Sequence, residues 1–152
     1  MFKKIAFFIF FFYVNSLMSQ IVINEYSAAN YDSFQDNYGE YEDWLELYNS
    51  SATAIDISGW QLSDKANEPN KWIVPGSLVI PANDVIVIFC SARDEIAASG
   101  DAHTNFKLTQ TTGNEVIMLS DAAGVFQDSI RVIANQTSHS RGRQTNGSLT
   151  WS

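Results

Sequence analysis

Hydrophobic and polar residues alternate between residues 43 and 49, and this alternation predicts a β-strand with one buried face. Leu45 and Leu47 lie on one face of such a strand. The other face carries three larger side chains: Trp44, Glu46 and Tyr48. Glu46 is a carboxylate between apolar neighbours, so we expect it to face solvent or to hold a fixed hydrogen-bond partner.

A second strand follows after a turn. The triplet Asn-Ser-Ser at residues 49–51 is typical of a turn, and Gly59 opens the next apolar stretch, which ends at Asp64. Further short stretches bounded by turn residues occur at residues 21–26, 72–74, 78–80, 85–90, 103–108, 115–119, 125–133 and 138–143. Strands that recur every 8 to 12 residues or so predict an all-β fold of the sandwich type.

Two stretches allow more detailed predictions, one about the cover of a strand and one about a helical turn. Residues 85–90 are apolar on both faces, so we expect a central strand that is covered on both sides. Residues 92–102 are small and charged, and we expect them to form a helical turn over one end of the sandwich.

The first 19 residues have the layout of a secretory signal peptide. Lys3 and Lys4 precede an apolar run, Ile5–Val14, which is followed by small and polar residues. The run is shorter than the about 20 residues that a membrane span needs. We expect cleavage after Ser19, with cleavage after Ser16 or an uncleaved anchor as alternatives. In each case the domain would lie outside the cytoplasm, secreted or at the cell surface. If the signal peptide is cleaved, we expect no membrane span in the remaining chain.

The composition fits one exported domain. The chain has 152 residues, of which 45% are apolar, and this is enough for a sizeable core. Loss of Lys3 and Lys4 leaves 7 basic residues against 17 acidic ones, a net charge of −10. A surface of that charge repels a polyanion, so we expect no nucleic-acid binding. The single cysteine, Cys90, excludes an internal disulfide, and we expect a buried thiol.

An acidic stretch at residues 27–42, with Asp43 at its border, has no strand periodicity and predicts a long loop or a compact surface turn. Its carboxylates suit Ca²⁺, which takes roughly six to eight oxygen ligands. The candidate ligands are Asp32, Asp36, Glu40, Glu42 and Asp43, with Asn37 as a further oxygen donor. The spacing does not fit an EF-hand, because Gly39 would put Phe34 at the first ligand position. A solvated loop without an ion is the alternative.

The sequence contains no motif that predicts an enzyme. It has no Gly-rich phosphate loop, no nucleophile elbow and no paired-His zinc motif, so we expect no catalytic activity. We expect a structural hydrogen-bonding role for His103 and a solvated edge position for His139. Sugars stack on exposed indoles, but we expect most of the tryptophans to pack in the interior. They are Trp44, Trp60, Trp72 and Trp151.

Several motifs resemble the lamin tail domain, in the form found in secreted bacterial proteins. The main ones are DWLELYN at residues 43–49 and IDISGWQLSD at residues 55–64. Flanking matches are Asn24-Glu25-Tyr26, Lys71-Trp72, IPAN at residues 80–83 and HTNFKL at residues 103–108. The resemblance covers residues 20–152 and implies an immunoglobulin-like β-sandwich without catalytic activity. It assigns structural roles to Asn24, Glu25, Trp44, Glu46, Leu47, Tyr48, Asn49, Gly59, Trp60, Leu62 and Asp64.

The resemblance implies a non-catalytic module that attaches to a protein or a surface ligand outside the cytoplasm. In similar domains a further stretch follows the tryptophan that corresponds to Trp151. We therefore expect a domain truncated at its C-terminal end and forming the N-terminal part of a larger secreted protein. Two alternatives stay open. The chain could be an accessory module that binds carbohydrate, or the targeting module of an extracellular hydrolase or nuclease encoded downstream.

Overall fold

The computed structural model describes residues 19–111 and 113–152, and these residues form twelve β-strands and no helix. The strands are β1 (Ile21–Ser27), β2 (Trp44–Asn49), β3 (Ile55–Asp56), β4 (Gln61–Ser63), β5 (Trp72–Ile73), β6 (Val79–Ile80), β7 (Val85–Phe89), β8 (Glu95–Ile96), β9 (Ala102–His103), β10 (Val116–Ser120), β11 (Phe126–Arg131) and β12 (Arg141–Gly142). The predicted signal peptide, apart from Ser19, lies outside the described residues. Within those residues nothing forms a helix able to cross a membrane.

The strands are arranged in two main sheets and one small ribbon. The larger sheet has the order β12-β1-β2-β7-β9-β8, and the smaller one has the order β11-β10-β4-β5. β3 and β6 pair as a separate ribbon. Strand pairing is antiparallel except between β7 and β9, which run parallel. The all-β sandwich that the strand spacing predicted is confirmed.

The core lies where side chains from both sheets meet. Leu45 and Leu47 of β2 are fully buried, and they belong to one cluster with Leu62, Ile117 and Leu119 of the smaller sheet. Glu46 and Tyr48, on the opposite face of β2, are only partly buried. The predicted direction of the β2 side chains is therefore confirmed. Burial at Cys90 is complete, as expected for a structural thiol, and it raises the pKa of that thiol well above its ordinary value.

β7 lies inside its sheet, between β2 and β9, as predicted for a central strand. Its cover is uneven, however. Ile88 and Phe89 are buried, whereas Val85, Ile86 and Val87 are only partly buried. The prediction of cover on both faces was therefore wrong for the first half of the strand, where only one face meets the core.

The helical turn predicted at residues 92–102 was wrong. These residues instead contain β8 and lead into β9, and the two strands pair antiparallel. Ala92 and Asp94 have φ angles of 64° and 58°, which a right-handed helix does not allow. The predicted strand at 103–108 is also shorter than expected, because Thr104 Oγ1 donates to the Phe106 carbonyl at 2.7 Å and turns the chain.

A β-bulge at Asn24 connects the two sheets and the C-terminal segment. Ile23 pairs with Leu47 and Glu25 with Glu46, so Asn24 is the extra residue on β1. The Ile23 amide donates to Asp128 Oδ2 on β11 at 2.9 Å. Arg143 donates to the same carboxylate oxygen at 2.6 Å and to the Ile23 carbonyl at 2.7 Å. The backbone groups released by the bulge are thus bonded by side chains far away in sequence.

Replacement of Leu47 by Ala tests whether this face of β2 forms the core. The change removes most of a fully buried side chain, so we expect a loss of roughly 2–5 kcal/mol in the free energy of unfolding. Urea denaturation measures it. Val79→Ala is the control, because Val79 is 48% exposed and should change stability by about 0.5 kcal/mol or less. Equal effects of the two substitutions would contradict the assignment.

Candidate functional site

The loop between β1 and β2 is long but locally well fixed. Asn30, which is 3% exposed, donates its amide hydrogens to the carbonyls of Phe34 and Glu42, both at 2.9 Å. Asp36 Oδ1 accepts hydrogen bonds from the amides of Tyr38, at 2.8 Å, and Glu40, at 3.0 Å. These bonds give residues 30–43 a defined shape without regular secondary structure. We call this segment the 30–43 loop.

Two cations attach the 30–43 loop to the larger sheet. Arg93 Nη1 lies 3.3 Å from Glu42 Oε1 and 3.6 Å from Asp36 Oδ2. Lys107 Nζ lies 2.8 Å from Glu42 Oε2. The Arg93 guanidinium also lies over the ring of Tyr38, 4.5 Å from its centroid. Glu42 is therefore neutralised from two sides.

His103 forms a third attachment. Its Nδ1 lies 2.9 Å from Ser91 Oγ, and its Nε2 lies 2.8 Å from Asn37 Oδ1 on the loop. A serine, an imidazole and an amide in series resemble the order of groups in hydrolytic enzymes. However, His103 is fully buried beside Phe89, and Ser91 is 5% exposed, so a substrate has no access. The structural role expected for His103 agrees with these contacts.

The five predicted calcium ligands do not converge. Asp36 and Glu42 meet at Arg93, Asp43 Oδ1 accepts the Asn30 amide at 3.2 Å, and Asp32 and Glu40 are exposed. Within residues 19–111 and 113–152, no three His, Cys, Asp or Glu side chains are grouped as metal ligands are. The calcium hypothesis is not tested by these contacts, but the ion pairs favour its alternative, a loop without an ion.

The exposed aromatic residues of this region are three tyrosines and Phe34, and none is a tryptophan. Trp44 and Trp72 are 7% and 1% exposed, and Trp60 and Trp151 are partly buried against the core. The expectation that the tryptophans pack is therefore confirmed. Exposed tyrosines on the 30–43 loop are Tyr31 (68%), Tyr38 (50%) and Tyr41 (44%). The predictions from the sequence did not include them, although three tyrosines in an aperiodic acidic stretch are a detectable signal.

A cleft of about 280 Å³ separates the 30–43 loop from residues 107–111. Tyr31, Tyr41 and Asp43 line it from the loop, and Lys107 and Gln110 line it from the other side. We call it the Asp43 cleft. Its lining combines these two exposed aromatic rings with two carboxylates (Glu42 and Asp43), two amides (Asn30 and Gln110) and the Lys107 ammonium group. Such convergent polar groups beside aromatic rings suit a polar ligand.

Asp43 differs from Glu42 in having no cation at ion-pairing distance among the described residues. Burial raises the pKa of Asp43 to about 6, and the hydrogen bond from the Asn30 amide offsets only part of this rise. The Glu42 charge raises this pKa further, and Lys107 lowers it. Asp43 is thus a carboxylate that is costly to ionise in the free protein.

Glu115 is a second buried carboxylate that is costly to ionise, and it lies outside the Asp43 cleft. It is 7% exposed, and burial raises its pKa to about 7. The hydrogen bond that Thr109 N–H donates to Glu115 Oε2, at 2.5 Å, lowers that pKa in part, and the Asp64 charge raises it.

Most signature residues form contacts that hold the fold. Asn49, fully buried, donates to the carbonyls of Thr53, Ile80 and Pro81 at 2.8, 3.0 and 3.1 Å. Asp64 pairs with Lys71 at 2.6 Å. Trp44 packs on Phe34 of the 30–43 loop with ring centroids 5.2 Å apart, while Leu47 and Leu62 lie in the core. Gly59 has a φ of 76°, which favours glycine, and Trp60 packs against the core.

The remaining signature residues meet the C-terminal segment. Asn24 Nδ2 donates to Glu46 Oε1 at 2.7 Å, which is the fixed partner expected for that carboxylate. Burial raises the pKa of Glu46, and this bond lowers it in part. Glu25 and Tyr48 lie so close to Gly142 and Gly147 that a Cβ there would approach within 3.2 Å.

The pKa of Glu115 leads to a pH-dependent prediction. A carboxyl whose pKa rises on folding holds its proton more tightly in the folded state, so its burial lowers stability as the pH rises from 4.5 to about 7. Glu115→Gln keeps an acceptor for Thr109 N–H and removes the charge. We expect it to raise the free energy of unfolding by roughly 1–2 kcal/mol at pH 8, after allowance for solvent screening, and to have no effect near pH 4.

Denaturation of both proteins across this pH range measures the difference. Glu68→Gln is the control, because Glu68 is an exposed carboxylate whose loss should change stability little at any pH. A pH-independent difference for Glu115→Gln would contradict the prediction.

The ion pairs of the 30–43 loop predict the response to calcium. Since Arg93 and Lys107 already neutralise Glu42, we expect the same melting temperature in millimolar calcium and in chelator. A bound ion would instead stabilise the folded state by about 2.7 kcal/mol at a hundredfold excess over Kd. A calcium-dependent rise that Asp36→Ala with Glu40→Ala abolishes would establish the calcium site.

Comparison with known proteins gives one family. A family model described as Lamin Tail Domain matches residues 15–134. No curated protein matches the chain. The matched residues include all of β1 to β11 and the whole 30–43 loop. Together with the sandwich fold and the placement of the signature residues, this match shows that the chain belongs to the lamin tail domain family.

Proposed function

We propose that the chain is a non-catalytic module that is exported and attaches to a protein or a surface ligand through the 30–43 loop. Membership of the lamin tail domain family supports a module of immunoglobulin-like type. The basic start and short apolar run of residues 1–19 support export.

The observation that carries this proposal is the display of tyrosines on a fixed loop. Tyr31 and Tyr41 are 68% and 44% exposed, although tyrosine can bury a large area against a partner. Because Asn30 and Asp36 bond the loop backbone, ordering it on binding costs little conformational entropy. Tyrosine is enriched at interfaces and in the residues that dominate binding energy.

Carbohydrate is the second candidate ligand. The Asp43 cleft combines two exposed tyrosine rings with Gln110 and Lys107, and sugars need both an apolar platform and hydrogen-bonding groups. This alternative now rests on tyrosines, because the tryptophans are packed against the interior.

Surface retention tests the proposed function. We expect the tagged full-length chain, expressed in its own host, to be found on intact cells, open to added protease and starting near Gln20. If each tyrosine contributes about 2 kcal/mol and the two effects add, the double variant Tyr31→Ser, Tyr41→Ser should weaken binding by about a thousandfold and strongly lower retention. Phe126→Ser is the matched control, because Phe126 is 57% exposed on the other sheet.

Cytoplasmic protein with an intact Met1 would contradict export. Equal retention of the double variant and the wild type, with both folded by circular dichroism, would contradict attachment through the 30–43 loop.

A further inference from the structure

The charges that line the Asp43 cleft do not balance. Lys107 lies at the cleft, but its Nζ is held by Glu42 Oε2 at 2.8 Å. Glu42 also has Arg93 Nη1 at 3.3 Å from its other oxygen. The carboxylate of Asp43, the next residue, accepts one backbone hydrogen bond, from the Asn30 amide at 3.2 Å, and has no ion-pair partner among the described residues. The cleft therefore presents a partly buried carboxylate that no cation of the described residues pairs with.

The walls of the cleft suit a cation. Tyr31 and Tyr41 are its exposed aromatic rings, and the face of a tyrosine ring attracts a guanidinium or ammonium group. The same loop already uses this contact, since the Arg93 guanidinium lies 4.5 Å from the centroid of Tyr38. A planar guanidinium can stack on a ring and donate to a carboxylate at the same time, which an ammonium group does less well.

We propose that the Asp43 cleft receives an arginine side chain of a partner protein, with the guanidinium paired to Asp43 and packed against Tyr31 and Tyr41. This inference deepens the proposed attachment through the 30–43 loop and rests on it. The cleft, at about 280 Å³, holds a side chain and not a folded element, so the arginine would be an anchor within a wider contact. A neutral sugar would leave the Asp43 charge unpaired.

The pairing makes binding depend on pH. Arginine keeps its charge throughout, whereas burial raises the pKa of Asp43 to about 6, so Asp43 loses its charge below that pH. The other groups that interact with Asp43 are Glu42, Lys107, Cys90 and Glu115. Burial raises the pKa of Glu115 to about 7, so the pH dependence of an Asp43 variant distinguishes an effect of Asp43 from an effect of Glu115.

The experiment titrates the purified full-length chain with a blocked Gly-Arg-Gly peptide. The matched probe is the same peptide with citrulline, which keeps the shape and removes the charge. We expect the arginine peptide to shift the ring signals of Tyr31 and Tyr41 in NMR spectra and to bind about tenfold more tightly than the citrulline peptide. Binding should weaken by a similar factor, about tenfold, between pH 8 and pH 5.

Asp43→Asn is the decisive variant, because asparagine keeps an oxygen for the Asn30 amide and loses the charge. It should bind the arginine peptide about tenfold more weakly and without pH dependence. Asp32→Asn makes the same charge change on the same loop at an exposed position outside the cleft lining, so it should alter binding by about twofold or less. If Asp43→Asn does not fold, Tyr41→Leu and the pH profile of the wild type give the answer.

Equal affinity for the arginine and citrulline peptides, or unchanged affinity in Asp43→Asn, would overturn the inference. Shifts of the tyrosine signals by a neutral disaccharide and not by the arginine peptide would overturn it in favour of carbohydrate. If the Tyr31→Ser, Tyr41→Ser variant loses surface retention while Asp43→Asn keeps it, the attachment role stands and the arginine anchor is wrong.

Discussion

Burial of one face of β2 is the constraint on which the rest of the structure depends. Leu45 and Leu47 are fully buried at the centre of the larger sheet, between β1 and β7. Because side chains alternate along a strand, a register shift of one residue would bring Glu46 into the core and expose both leucines. The register of β2 in turn sets the pairing of β1 and β7, and it sets the point at which the 30–43 loop enters the sheet.

Hydrogen bonds at the β1 bulge further restrict how the strands can be arranged. The bulge at Asn24 interrupts the β1–β2 ladder, and the bonds from Ile23 to Asp128 and from Arg143 to Ile23 replace the lost pairing. A buried backbone amide without a partner is costly, so these bonds strongly favour one arrangement of β11 and the C-terminal segment. The face of β2 opposite the core is fixed as well, because the Asn24 side chain donates a hydrogen bond to Glu46 on that face.

The candidate binding surface follows from the same scaffold. Loops that carry binding residues work best when a rigid element positions them. Here Arg93, Lys107 and His103 hold the 30–43 loop against the larger sheet, and this leaves its tyrosines exposed. Arg93 and Lys107, the cations that hold the loop, both form ion pairs with Glu42 and not with Asp43. Asp43 is therefore the carboxylate of the cleft without an ion pair among the described residues.

The sequence by itself determined the all-β class, most strand positions and the buried face of β2, because period-two alternation and turn residues are local signals. It also identified the lamin tail signature and the aperiodic acidic stretch. Only the tertiary structure decided the backbone at Ala92 and Asp94, where pairing of β8 with β9 overrides local helix preference. It also decided which acidic side chains pair with Arg93 and which one lines the Asp43 cleft without an ion pair among the described residues. Those choices depend on residues up to 66 positions apart, such as Asn37 and His103, whose contact exists only once the sheet has formed.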